Sequence, residues 1–99
     1  MNAPHSATLW FAADHPMFAG HFPGAPLVPG ALLLDEVALR IAGSAPGPLA
    51  FARVKFRRAV LPEATVTIEW SERADGSHPF AVRDATGAVA VDGILTPHA

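Results

Sequence analysis

Hydrophobic and polar residues alternate over four stretches of this chain and crowd together in a fifth. The crowded stretch, residues 31–42 (ALLLDEVALRIA), consists of helix formers that are apolar round almost the whole circumference. A helix apolar on all sides is a buried helix. Pro29 suits its first turn, where a missing N–H costs nothing, and Gly43 with Pro46 beyond ends it, so a helix is predicted over residues 30–42. The alternating stretches predict strands. In residues 49–60 (LAFARVKFRRAV) the even positions Ala50, Ala52, Val54 and Phe56 form one face, and Arg53, Lys55 and Arg57 the other. Residues 64–73 point Val66, Ile68 and Trp70 inward and Thr65, Thr67, Glu69 and Ser71 outward. Residues 80–84 and 88–96 complete the set, and residues 8–13 (TLWFAA) add a strand near the start. Turns fall between them at Pro62, at Asp75-Gly76, which is a strong hairpin signal, and at residues 85–87; Pro97 ends the last strand.

The order is strand, loop, one helix, then four strands joined by short turns. Consecutive hairpins build one antiparallel sheet, and a single helix covers its apolar face. The expected class is α+β, one curved antiparallel sheet wrapped around a central helix, in a single domain spanning residues 1–99. A helix of about 13 residues is ~20 Å long, and one sheet covers only one of its sides. The other side has to meet something apolar, so a dimer or larger assembly is expected.

Composition narrows the function classes. Seven Lys and Arg stand against nine Asp and Glu, without the net basic footprint of a nucleic-acid binder. The absence of cysteine removes disulfides, thiolate nucleophiles and thiolate metal sites. No apolar run reaches the ~20 residues of a bilayer span, and the start lacks the pattern of a signal peptide, so a cytoplasmic protein is expected. An apolar fraction of 51% is high for so short a chain and again points to surface covered by a partner.

The candidate chemistry lies before and inside the helix. Residues 15–30 hold four prolines (Pro16, Pro23, Pro26, Pro29) and three glycines (Gly20, Gly24, Gly30). Such a loop has few available paths, so the side chain of His21 is held in place. Gly30 offers an unpaired N–H at the positive end of the helix dipole, a site for an oxygen of partial negative charge. Of the two helix acids, Glu36 has Arg40 four residues on. Asp35 has only Ala31, Leu32, Ala38 and Leu39 at its helical neighbours. Burial would raise its pKa and make it a candidate functional group. The alternative is that Asp35 points to solvent or caps another element.

Within these residues, GHFPGAPLVPG followed by ALLLDEV resembles the active-site loop and central helix of the 3-hydroxyacyl-acyl-carrier-protein dehydratases, which are hotdog-fold enzymes. Residues 54–70 (VKFRRAVLPEATVTIEW) are similar to the strand–turn–strand of that family, and DATGAVAVDGILT to its last hairpin. The likeness covers roughly residues 8–96, and the short start is closer to the compact dehydratases of aryl-polyene-type pathways. It implies that His21 is the catalytic histidine, Asp35 the helix carboxylate and Gly30 the backbone donor. It further implies that Phe22, Pro23, Gly24 and Pro29 line the substrate, and that histidine and acid meet across a dimer interface. No metal or redox cofactor is implied. One departure is Glu63, in the turn Leu61-Pro62-Glu63, where the family usually has Gly.

The remaining candidates are weaker. His15 before Pro16 reads as a loop residue, and His5, His78 and His98 as solvated terminal or turn residues. Asp14, His15 and His21 fall short of a zinc site with three or four preset ligands and a second shell, so no metal is expected. Arg53, Lys55, Arg57 and Arg58 carry four of the seven positive charges. They are either an exposed polar face or a docking surface for an acidic acyl carrier protein. Three functions remain: a dehydratase of (3R)-3-hydroxyacyl carriers, a hotdog thioesterase, which would not need His21, or a non-catalytic subunit completing a hetero-dimer. No nucleic-acid or membrane partner is expected.

Overall fold

The computed structural model describes residues 5–11, 30–43, 49–61 and 63–97. The elements are β1 (His5–Trp10), α1 (Gly30–Ala42), β2 (Leu49–Phe56), β3 (Thr65–Trp70), β4 (His78–Arg83) and β5 (Val89–Pro97). The helix has the predicted limits. Gly43, at φ 60°, closes it by donating its N–H to the Leu39 carbonyl at 2.9 Å. The first strand starts earlier than expected, because His5 already pairs with Trp70 and stacks its ring on the indole at 5.5 Å.

The strands form one antiparallel sheet in the order β1-β3-β4-β5-β2. Hairpins join β3 to β4 and β4 to β5, as the turn signals predict, with Gly76 and Gly87 at positive φ. The expectation of consecutive hairpins fails at β2. That strand pairs with β5 at one edge, while β3 pairs with both β1 and β4, so the connection from β2 to β3 passes from one edge of the sheet to the strand next to the other edge. The strands flanking the helix thus take the two outer positions of the sheet, and only the three strands after the crossing are sequential neighbours.

The core lies between the helix and the inner sheet face. Leu33 and Val37 of α1 are buried with Leu9, Val66, Ile68, Phe80, Val82, Val91 and Leu95. Full burial of such side chains contributes about 1.5–3 kcal/mol each. Val66 and Ile68 point inward as their alternation predicts, and Trp70 packs against the same cluster. On the outer face Arg83 pairs with Glu69 at 2.6 Å.

Strand β2 departs from the single alternation read from its sequence. Ala52 pairs with Ile94 and Lys55 with Asp92, leaving Arg53 and Val54 opposite Gly93. Two residues facing one make a β-bulge, and Arg53 takes it up with a left-handed φ of 56°. The bulge inverts the phase of the strand. Before it Phe51 faces the core, in edge contact with Phe80 at 5.8 Å, while Ala52 is exposed. After it Val54 packs against the core and Phe56 turns toward the helix. Gly93 makes room for the extra residue, since a Cβ there would lie 3.0 Å from Val54 Cγ2 and 3.1 Å from Phe80 Cζ.

Candidate active site at the start of the helix

The first turn of α1 lies against the end of β2. Gly30 is covered by the Phe56 ring so closely that a Cβ at residue 30 would lie 2.7 Å from Cε1 and 2.9 Å from Cζ. Beside this contact is a groove of about 480 Å³, whose described lining is Gly30, Leu33, Phe56, Arg57, Arg58, Ala59 and Val60. Its buried lining residues, Leu33 and Val60, are apolar, two exposed cations lie on its rim, and Gly30, the first helical residue, lines it as well. That combination suits a long apolar group attached to a polar, anionic or carbonyl-bearing head.

Both rim cations are held from within the chain. Arg57 donates to Asp92 at 2.7 Å, and Arg58 lies 3.7 Å from Asp84. The Thr86 hydroxyl, the backbone N–H groups of Thr86 and Ala88, and the Arg58 charge together hold the Asp84 carboxyl below the usual carboxylate range. Its negative charge is thereby kept beside Arg58. Arg53 and Lys55 are exposed, and neither has a carboxylate within ion-pair distance among the described residues. Arg53, Lys55 and Arg57 line one surface groove together with Asp92, while Arg57 and Arg58, each paired with a carboxylate, line the groove at the helix start.

Asp35 lies elsewhere. At about 100° per residue it stands roughly 140° round the helix from Gly30 and roughly 160° from Leu33. It is exposed, and so is Leu39 one turn on, at 54%. Of the two readings of Asp35, buried or facing solvent, a single chain shows the second, because the sheet covers only the opposite side of the helix. Glu36 and Arg40 do approach each other, at 4.0 Å, as their spacing predicts. His21, Phe22, Pro23, Gly24 and Pro29 lie outside the described residues, as do Asp14, His15 and His98. His5 and His78 are strand residues rather than terminal or turn residues, and the His78 Nδ1 is buried without a hydrogen-bond partner among the described residues. The contact of Phe56 with Gly30 and the carboxylates Asp84 and Asp92 had no sequence signal, since each arises from pairing between distant segments. No helix among the described residues is long and apolar enough to cross a membrane.

Known proteins resemble this chain in sequence and in fold. A family model described as ApeI-like, for the ApeI dehydratase, matches residues 2–94. The 3-hydroxyacyl-acyl-carrier-protein dehydratase FabZ of Thermus thermophilus is 34% identical over 83% of this chain and 61% of its own. The chain thus spans less than two thirds of that curated relative. Among solved structures, the dehydratase heterocomplex ApeI:P from Xenorhabdus doucetiae superposes with a TM-score of 0.79 at 22% identity, covering 94% of this chain and 85% of that one. The (R)-hydratase from A. caviae involved in PHA biosynthesis superposes with a TM-score of 0.62 at 16% identity, covering 97% and 95%. The five-stranded sheet and its helix are a hotdog fold, and the chain belongs to the ApeI-like dehydratase family.

Proposed function

We propose that this protein is a hydro-lyase that removes water from (3R)-3-hydroxyacyl thioesters on an acyl carrier protein, giving trans-2-enoyl thioesters. The observation that carries the reading is the apolar groove at the helix start, with the Gly30 N-terminus at its head, in a chain that matches the ApeI-like family over residues 2–94. The elimination breaks a C–H bond at the α-carbon and a C–O bond at the β-carbon, and forms the double bond between them. His21, as a neutral imidazole, takes the α-proton. The Gly30 N–H stabilises the negative charge that develops on the thioester oxygen. Asp35, protonated, gives its proton to the departing hydroxyl, which leaves as water.

The angular separation of Asp35 from the groove supports a site shared between two chains. A carboxyl on the far side of the helix serves the groove of a second subunit, and that contact would also remove it from water. Leu39 beside it supplies apolar surface for the same contact. The partner is a second copy or a related hotdog subunit; the ApeI:P structure, a heterocomplex by its own description, favours keeping the second. Arg53 and Lys55 form the docking surface for the acidic carrier, with Arg57 and Arg58 at the groove mouth.

Incubation of the purified protein with a 3-hydroxyacyl thioester tests the reaction. Loss of water, read as enoyl absorbance, is the expected result, and it should vanish in His21→Ala. Release of free thiol instead would make the protein a thioesterase. Turnover only after a second hotdog subunit is added would make it one half of a hetero-dimer.

A further inference from the structure

Three locally unfavourable features converge on one side chain. Arg53 adopts a left-handed backbone although it is not glycine. Gly93 opposite it has no side chain because Val54 and Phe80 fill the space. Phe56, which the resulting bulge turns inward, is 56% exposed although it is a large apolar residue. Strain of this kind persists where the surrounding structure demands it, and it collects near functional sites. What the bulge achieves here is specific: if these same residues continued the alternation from Phe51 with no bulge, Phe56 would point to the outer face of the sheet, and its ring would leave both Gly30 and the groove.

We propose that Phe56 is the positioning and length-selecting residue of the groove: its ring seats the first turn of α1 through Gly30, and its exposed edge limits how long an acyl chain the groove accepts. The ring lies on the Gly30 Cα, so it fixes how close the helix start comes to β2 and where the Gly30 N–H points. It also forms one wall of the 480 Å³ groove, opposite the Leu33 and Val60 side chains. The inference rests on the groove holding the acyl chain, as proposed above, and does not depend on which reaction follows.

Two measurements on the full-length protein test it. The first is a double-mutant cycle read by urea unfolding. Gly30→Ala alone should lower the unfolding midpoint, because the new Cβ meets the Phe56 ring. In a Phe56→Ala background the same change should leave the midpoint level or raise it, since alanine is the better helix former. Equal loss in both backgrounds overturns the seating. The second is calorimetric binding of saturated acyl thioesters of coenzyme A from four to twelve carbons. Each methylene newly accommodated is worth about fourfold in affinity. Phe56→Ala should therefore shift the preferred length by two or more carbons and favour the longer chain over the shorter by roughly 15-fold or more. Phe56→Leu should fall between it and the unaltered protein. A uniform change at every length, a change only in oligomer size, or no binding at any length overturns the length-selecting role. Wild-type protein that binds these chains but eliminates no water would remove the dehydratase reading and leave the length profile to judge Phe56.

Discussion

The two sides of α1 are built from similar residues and end in opposite situations. On the inner side Leu33 and Val37 are buried against the sheet, and the chain completes this contact by itself. On the outer side Asp35 and Leu39 are exposed, a carboxyl and a large apolar residue sharing one face. The same division recurs among the cations. Arg57 and Arg58 have Asp92 and Asp84 as partners, whereas Arg53 and Lys55 have none among the described residues. Contacts that the chain finishes alone hold the fold. Those it leaves open are where the proposed function puts a second subunit and the carrier protein.

Substitutions on either side of the helix should separate the two roles. Asp35→Asn is expected to lower dehydration by ~100-fold or more, because an amide is not an acid, while thermal unfolding moves by no more than the ~0.5 kcal/mol usual for exposed sites. Val37→Ala should do the reverse. It should cost about 2 kcal/mol of stability through lost burial and a residual cavity, with turnover per folded molecule unchanged. If Asp35→Asn destabilises as much as Val37→Ala, the outer face is structural and the contrast collapses. A smaller effect is expected among the cations. Arg53→Glu with Lys55→Glu should raise KM for carrier-linked substrate by about tenfold and spare a small free thioester, since exposed rim charges act mainly on encounter. Equal loss on both substrates would exclude docking at this surface.

Much of this division was legible in the residues. Helix limits, the Gly43 end, the Glu36–Arg40 pair, the inward set Val66, Ile68 and Trp70, and both tight turns follow from spacing and turn chemistry. Local rules govern each of them. The phase change at Arg53 was not legible, because an alternation of residue types carries no mark where one extra residue is inserted; only the pairing with Gly93 reveals it. The crossing between β2 and β3, from one edge of the sheet to the strand next to the other, was hidden for the same reason, since strand order is a property of distant pairing. Asp35 was identified as chemically unusual, but its exposure depends on which side of the helix the sheet takes, and a helix apolar all round does not declare that.

The smallest effect concerns Glu63, a residue the chain does satisfy by itself, at some backbone cost. Its φ of 65° is left-handed, a conformation that glycine adopts without a Cβ penalty. Two contacts hold it: its N–H donates to the Phe11 carbonyl at 2.7 Å, and its own carbonyl accepts the Trp10 indole N–H at 3.0 Å. Both use backbone atoms of Glu63, so glycine would keep them. A left-handed conformation costs a residue with a Cβ roughly 1–2 kcal/mol, and glycine returns part of that gain through the greater freedom of its unfolded chain. Glu63→Gly should therefore stabilise the protein by about 0.5–1 kcal/mol, which for a domain of this size raises Tm by roughly 2–8 °C. Arg53→Gly, at φ 56°, should give a similar rise in Tm while weakening carrier docking. The pair thus separates a strained residue whose side chain is dispensable from one whose side chain the proposed docking uses. A fall in Tm on Glu63→Gly would mean that the glutamate side chain supports the turn, and the two positions would no longer differ in kind.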